Sequence, residues 1–324
     1  MHFSAKRLSI CAMRSLKGAA SVTRAGERFR LSRRMTSRSA NTIGFTAILL
    51  WSLLALFTAA SGLMPPFQLA AITFLIGGLC GTAVLLVRGT RAGVLSQPAV
   101  VWLLGVGGLF GYHALYFAAL RMAPPADAGL ICYLWPLLIV LFSSLLPGER
   151  LHGLTVAGAI LGFLGVIVLV SGRGAIDIRA EYAFGYLCAG AAAFVWAGYS
   201  VLSRRFGQVP TDAVAGFCLA TSLLSFVCHL LFETTLWPSR STEWLAILAL
   251  GIGPVGAAFY AWDIGMKRGD IRLLGVASYA APVLSTLVLV LAGYAEPTAS
   301  LALACTLIVS GALLATAAGR RVRA

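Results

Sequence analysis

The sequence predicts an all-α integral membrane protein of ten transmembrane helices, arranged as two inverted five-helix repeats. Three observations carry the prediction: apolar runs long enough to cross a bilayer, cationic residues gathered between those runs, and residue patterns that recur in the two halves. Of 324 residues, 59% are apolar and 11% are charged, against about 25% charged in an ordinary soluble domain. A water-soluble fold has no interior large enough to hide that surface.

Residues 41–87 are uncharged and interrupted only by a turn at 62–66. Each half of that stretch reaches the ~20 helical residues needed to span ~30 Å of hydrocarbon. The same criterion places spans near 41–62, 66–87, 98–120, 124–146, 152–171, 182–203, 211–236, 242–266, 271–293 and 297–318. Strands of a membrane barrel would alternate apolar and polar residues, and runs such as 160–170 do not. Pro66, Pro98, Pro124 with Pro125, and Pro297 open several spans, where the first helical turn has no use for the missing N–H.

Ten of the 25 Lys and Arg residues fall in residues 1–40, which hold a single acid, Glu27. That segment lacks the apolar run and cleavage site of a signal peptide and reads as a disordered cytoplasmic extension; Met35, just before the first span, is an alternative start. Residues 41–171 and 182–318 form the two repeats, and 319–324 a short basic tail. With the N-terminus inside, 21 cationic residues lie on the inner side and four on the outer: Arg121, Arg173, Arg179 and Arg240. The positive-inside rule therefore places both termini in the cytoplasm of a bacterial inner membrane. The formal charge of +14 is thus an orientation signal, and nucleic acid is not the expected partner. Six of the seven cysteines lie within apolar runs without CxxC spacing, as small packing residues.

Residues 102–170 and 244–314 run in parallel. Gly108 and Gly111 match Gly253 and Gly256, while Gly129, Tyr133 and Pro136 match Gly275, Tyr279 and Pro282. Trp51 pairs with Trp196, and Glu149 with Glu296. A repeated unit with an odd number of spans must insert its second copy upside down, a recurring plan among secondary transporters.

These patterns resemble the EamA-type repeat of the drug/metabolite transporter superfamily, across residues 41–318. The fourth span and its sequel carry much of the likeness: an aromatic-Pro element, an apolar run, Gly148-Glu149-Arg150, then a Gly-rich fifth span. Tyr112-His113, the Tyr133-x-Trp135-Pro136 element, and the motif from Tyr260 to Asp270 are similar to the bacterial aromatic amino-acid exporter branch. The resemblance implies a 5+5 fold and export of a small solute by alternating access. The second repeat departs from the first, with Ala295-Glu296-Pro297 and Ala281-Pro282 in place of Gly-Glu-Arg and Trp-Pro.

The residues themselves point to where a solute binds. Pro136 and Pro282 lie inside their spans and remove backbone hydrogen bonds to Cys132 and Ser278. Broken helices survive at membrane depth where they face protein or a wet cavity, so both prolines are expected to line one central cavity, with Pro254 as a third break. His113 is an ionisable group in mid-span and a functional candidate by default; Tyr116 shares its face at i+3, and Tyr112 adjoins it. Gly105, Gly107, Gly108 and Gly111 precede it and permit close helix approach or an open vestibule. Trp135 is the favoured contact on span 4, with Tyr133, repeated as Tyr279, either contact or structural. Trp196, Tyr199 and Ser200 form one stripe on span 6, and Ser278 joins the expected contacts. His229 lacks an aromatic companion and reads as structural.

Such aromatic surfaces, with one imidazole and hydroxyls, suit an amphiphilic metabolite such as an amino acid. No acid, Lys or Arg occupies a span centre; Asp127, Asp263 and Lys267 lie near ends. A pump for cationic drugs or a carrier of phosphate esters would want such charges, and a retinal protein a mid-span Lys. No HExxH, GxSxG or phosphate loop appears, so neither catalysis, cofactor nor metal is expected. Carriers of other metabolites and a receptor or channel are the alternatives. Gly158-x-x-x-Gly162 with Gly165, and Ser310, Gly311 and Ala315, mark close-packing faces on spans 5 and 10, read as contacts within a monomer rather than a homodimer seam.

Overall fold

The computed structural model describes residues 35–89, 96–148, 151–172, 179–293 and 295–321. The expectations for residues 1–34, for Glu149 and Arg150, and for the last three residues lie outside them. Ten helices are long and apolar enough to cross a membrane, and the described residues contain no strand. They are span 1 (Ser37–Ala60), span 2 (Pro66–Val87), span 3 (Ala99–Met122), span 4 (Pro125–Ser143), span 5 (Gly153–Ser171), span 6 (Ala180–Arg205), span 7 (Thr211–Phe232), span 8 (Ser241–Arg268), span 9 (Ile271–Leu291) and span 10 (Ala299–Ala317). Pro66 and Pro125 sit in the first turns of spans 2 and 4.

The packing follows the repeat. The most extensive contacts pair span 5 with 10, 2 with 7, 1 with 8 and 3 with 6. Each pair joins one repeat to the other, and the 1–8 and 3–6 pairs are images of each other. Spans 5 and 10 meet where Gly158 and Gly311 back onto each other's main chain, so a side chain at either would strike backbone. The small-residue faces are therefore occupied within the chain. Outward-facing Leu75, Leu79, Leu223 and Leu230 stay exposed, a liability in water and the expected coat against lipid.

Five spans are interrupted, four of them as symmetric pairs. Spans 3 and 8 each contain a π turn, at Gly107–Gly111 and Gly253–Ala257. Spans 4 and 9 break at Tyr133–Leu134 and Ser278–Tyr279, so Pro136 and Pro282 fall in the turn that starts the second half of each. The Ser278 carbonyl does not go short, because it accepts from the Ala281 N–H at 3.0 Å. The break in span 4 is completed from outside: the Leu137 N–H donates to the Tyr279 hydroxyl at 3.1 Å. Span 1 also breaks, at Leu53, whereas its counterpart span 6 is an uninterrupted α-helix over Ala183–Arg205.

Candidate functional site

A cavity enclosing about 810 Å³ of empty space, its open mouth included, lies between the repeats. The first repeat contributes Trp51 and Leu54 of span 1 and Tyr112, His113 and Tyr116 of span 3. Span 4 adds Gly129, Cys132, Tyr133 and Trp135 around its break. The second repeat contributes Trp196, Pro254, Val255, Phe259 and Ala281. These positions fall late in spans 1 and 3 and early in span 4, so the cavity occupies the half of the bundle away from the start of span 1. None of the described lining residues carries a formal charge.

Three indoles, Trp51, Trp135 and Trp196, make its floor, with a fourth, Trp262, beneath them. Trp51 meets Trp135 at 6.3 Å and Trp196 at 5.7 Å, both edge to face. Trp135 stands edge-on to Trp196 at 6.3 Å and to Trp262 at 5.9 Å. Trp262, fully buried beneath, stacks on Trp196 at 6.4 Å. Edge-to-face pairing sets positive ring edges against negative faces, so these rings brace one another. Two indole N–H groups are spent on the protein: Trp51 donates to the Pro254 carbonyl at 3.1 Å, and Trp262 to Ser200 Oγ at 3.0 Å. The π turn of span 8 thus anchors the Trp of span 1.

His113 projects from the helix that follows the π turn of span 3. Its Nδ1 lies 2.7 Å from the Leu109 carbonyl, and its ring packs against Phe74, Tyr112, Phe117 and Phe259. Tyr112 and Tyr116 stack with ring centres 6.0 Å apart.

The structure thus gathers seven of the expected site residues around one cavity: Tyr112, His113, Tyr116, Tyr133, Trp135, Trp196 and Pro254. It keeps four others out of the lining. Tyr199 is buried one turn past Trp196, its ring filling the space that Gly108 leaves. Ser278 is fully buried and its hydroxyl returns to the Leu274 carbonyl at 2.7 Å. Pro136 and Pro282 give way at the cavity wall to their neighbours Trp135 and Ala281. Tyr279, the repeat mate of Tyr133, sits in a second core against Gly162. Trp51 and Phe259 also line the cavity without being singled out by the sequence; the match of Trp51 with Trp196 is the available signal, and the crowding of aromatic residues through 259–262 is the other.

Both ends of the bundle carry buried charges away from the cavity. At the end near the termini, Lys267 and Asp263 pair at 2.8 Å, Thr211 donates to Asp263 at 2.6 Å and Lys267 to the Val209 carbonyl at 3.0 Å. Arg204 reaches the Met266 and Gly269 carbonyls at 3.2 and 2.8 Å, and Asn41 accepts from the Asp270 N–H at 2.6 Å. The motif from Tyr260 to Asp270 therefore closes this end. At the other end, the buried Glu233 accepts from the Phe67 and Gln68 N–H groups and pairs with Arg121 and His229 at 3.1 and 3.0 Å. His229 also lies 2.9 Å from Thr235, a structural residue with both nitrogens engaged.

Comparison with known proteins agrees with this architecture. The pattern that describes the EamA-like transporter family matches residues 38–171 and again 183–317. A protein of Ancylobacter novellus named aromatic amino acid exporter YddG is 62% identical over 89% of this chain and 100% of its own length. The Escherichia coli protein of the same name is 27% identical over 89% of this chain and all of its own. A crystal structure 62% identical in sequence superposes with a TM-score of 0.86, over 89% of this chain and 100% of that one. With both halves matched, five spans in each, this chain belongs to the EamA-like transporter family.

Proposed function

We propose that this protein exports aromatic or large apolar amino acids across the bacterial inner membrane, by alternating access and down the solute's own gradient. One observation carries the reading: an uncharged cavity walled by aromatic rings from both repeats, open at one end and closed at the other. Rings on broken helices supply apolar contact for a large side chain, and the polar atoms of His113 and the tyrosines serve the zwitterionic end. With both termini in the cytoplasm, the cavity faces outward and represents the releasing state. Spans 3, 4, 8 and 9, each interrupted beside the cavity, are the elements that bend to reverse access. The names of the two exporters compared above support the choice of solute.

The lining presents no carboxylate, which favours facilitated flux over coupling to a cation. Proteoliposomes holding the purified protein should take up labelled phenylalanine or tryptophan saturably, and an imposed pH gradient should not concentrate either. Trp135→Ala and Trp196→Ala should slow that uptake by up to about tenfold, from about 0.5–1.5 kcal/mol of lost ring contact. Because facilitated flux runs both ways in vesicles, direction needs cells loaded with a phenylalanine dipeptide, which should release phenylalanine faster when they make the protein. Saturable uptake of no amino acid at all would defeat the reading.

A further inference from the structure

We infer that the cavity reads the two ends of a zwitterion with different groups: His113 Nε2 accepts from the ammonium, and the indole N–H groups of Trp135 and Trp196 donate to the carboxylate. This inference rests on the amino-acid reading and assigns the polarity of binding within it.

The acceptor follows from one hydrogen bond. A carbonyl oxygen only accepts, so the contact from His113 to the Leu109 carbonyl places the proton of the neutral ring on Nδ1. Nε2 is then a bare acceptor. It has no partner in the protein, and it is not sealed from the cavity that the ring lines. The ring's neighbours are aromatic, and none is an anion.

The donors follow from the contrast within the floor. Of the four clustered indoles, Trp51 and the underlying Trp262 spend their N–H groups on protein acceptors. Trp135 and Trp196 do not, although they are only 6% and 4% exposed. A buried indole N–H normally finds a partner. Neither nitrogen is sealed, and both residues line the cavity, so each N–H is open to a solute there. Trp196 lies against the near-parallel ring of Trp262, and Trp135 pairs edge to face with its neighbours. The N–H edge of an indole is positive, so it suits an anion and repels an ammonium. Tyr116 carries a hydroxyl that gives or accepts and sets no preference. The two kinds of group are close: Tyr112 lies against both His113 and Trp196, with ring centres 5.1 and 5.3 Å away.

The test is binding of three ligands to the purified full-length protein in detergent, measured by calorimetry: L-tryptophan, tryptamine without the carboxylate, and 3-indolepropionate without the amine. The parent should prefer tryptophan to both. His113→Phe should shrink the preference over 3-indolepropionate by about tenfold and leave the preference over tryptamine alone. His113→Gln, which returns a carbonyl oxygen near the position of Nε2, should restore it. Trp135→Phe and Trp196→Phe keep a ring and lose the N–H; they should shrink the preference over tryptamine and leave that over 3-indolepropionate. Variants that change both preferences together, or the opposite ones, overturn the assignment while the amino-acid reading stands. A folded parent that binds none of the three overturns both.

Discussion

The indole N–H of Trp51 donates to the carbonyl of Pro254 at 3.1 Å, tying span 1 of the first repeat to the π turn of span 8 in the second. Both residues line the cavity, so the bond fixes its wall across the boundary between the repeats. Trp51→Phe keeps an aromatic ring and removes the donor. It should lower stability by about 0.5–1.5 kcal/mol, the net worth of such a bond, read as a lower thermal midpoint in detergent.

Tyr279→Phe should cost more, about 1–3 kcal/mol, because it strands the Leu137 N–H in a core, whereas the Pro254 carbonyl left by Trp51→Phe borders the cavity. The Tyr279 ring is fully buried and lies outside the cavity lining. Solute affinity at a temperature where the variant stays folded should therefore match the parent, and thermal melting with parallel calorimetry checks both halves.

Asp263→Asn should be among the most damaging single changes, since it leaves Lys267 buried without its counter-charge, at about 3–5 kcal/mol. Replacing both, with Asp263→Leu and Lys267→Met, should recover most of the loss, because neither charge then needs a partner. Comparing thermal midpoints of the parent, the single and the double variant decides it.

Gly158→Ala should destabilise the seam between spans 5 and 10, since its methyl would meet the Gly311 main chain, with overpacking worth about 1–3 kcal/mol. Gly107→Ala is the control: the added methyl meets nothing within 4 Å, and the thermal midpoint should stay at the parent's value.

Reporter fusions ending at Ser171 and at Arg205 should report opposite sides of the membrane, with Arg205 in the cytoplasm, if positive charge sets the orientation. Agreement between the two fusions would contradict the ten-span arrangement as well as the direction.

Hydropathy made the spans legible because length and apolarity are properties of contiguous residues. The helices end within a few residues of the sequence-based bounds, and span 8 runs on to Arg268 because its last turn buries Lys267 against Asp263 and the Val209 carbonyl. The breaks at Pro136 and Pro282 were legible too, since a missing N–H cannot be hidden. The break at Leu53 was not, because it contains neither Pro nor Gly. Depth was the other blind spot. Trp196 and Tyr199 share a helix face, but that face crosses the cavity floor between them, so one ring meets solute space and the other fills the gap beside Gly108. Repeat symmetry likewise paired Tyr133 with Tyr279, although only long-range packing assigns one to the cavity and the other to Leu137.

That last contact bears on how the protein is made. Leu137 and Tyr279 stand 142 residues apart, and ribosomes add about 5–20 residues per second. For roughly 7–28 s at that pace, the nascent fourth helix is in the membrane with its broken turn uncapped. Until the ninth helix is synthesised, the first repeat lacks the hydroxyl that completes its fourth span.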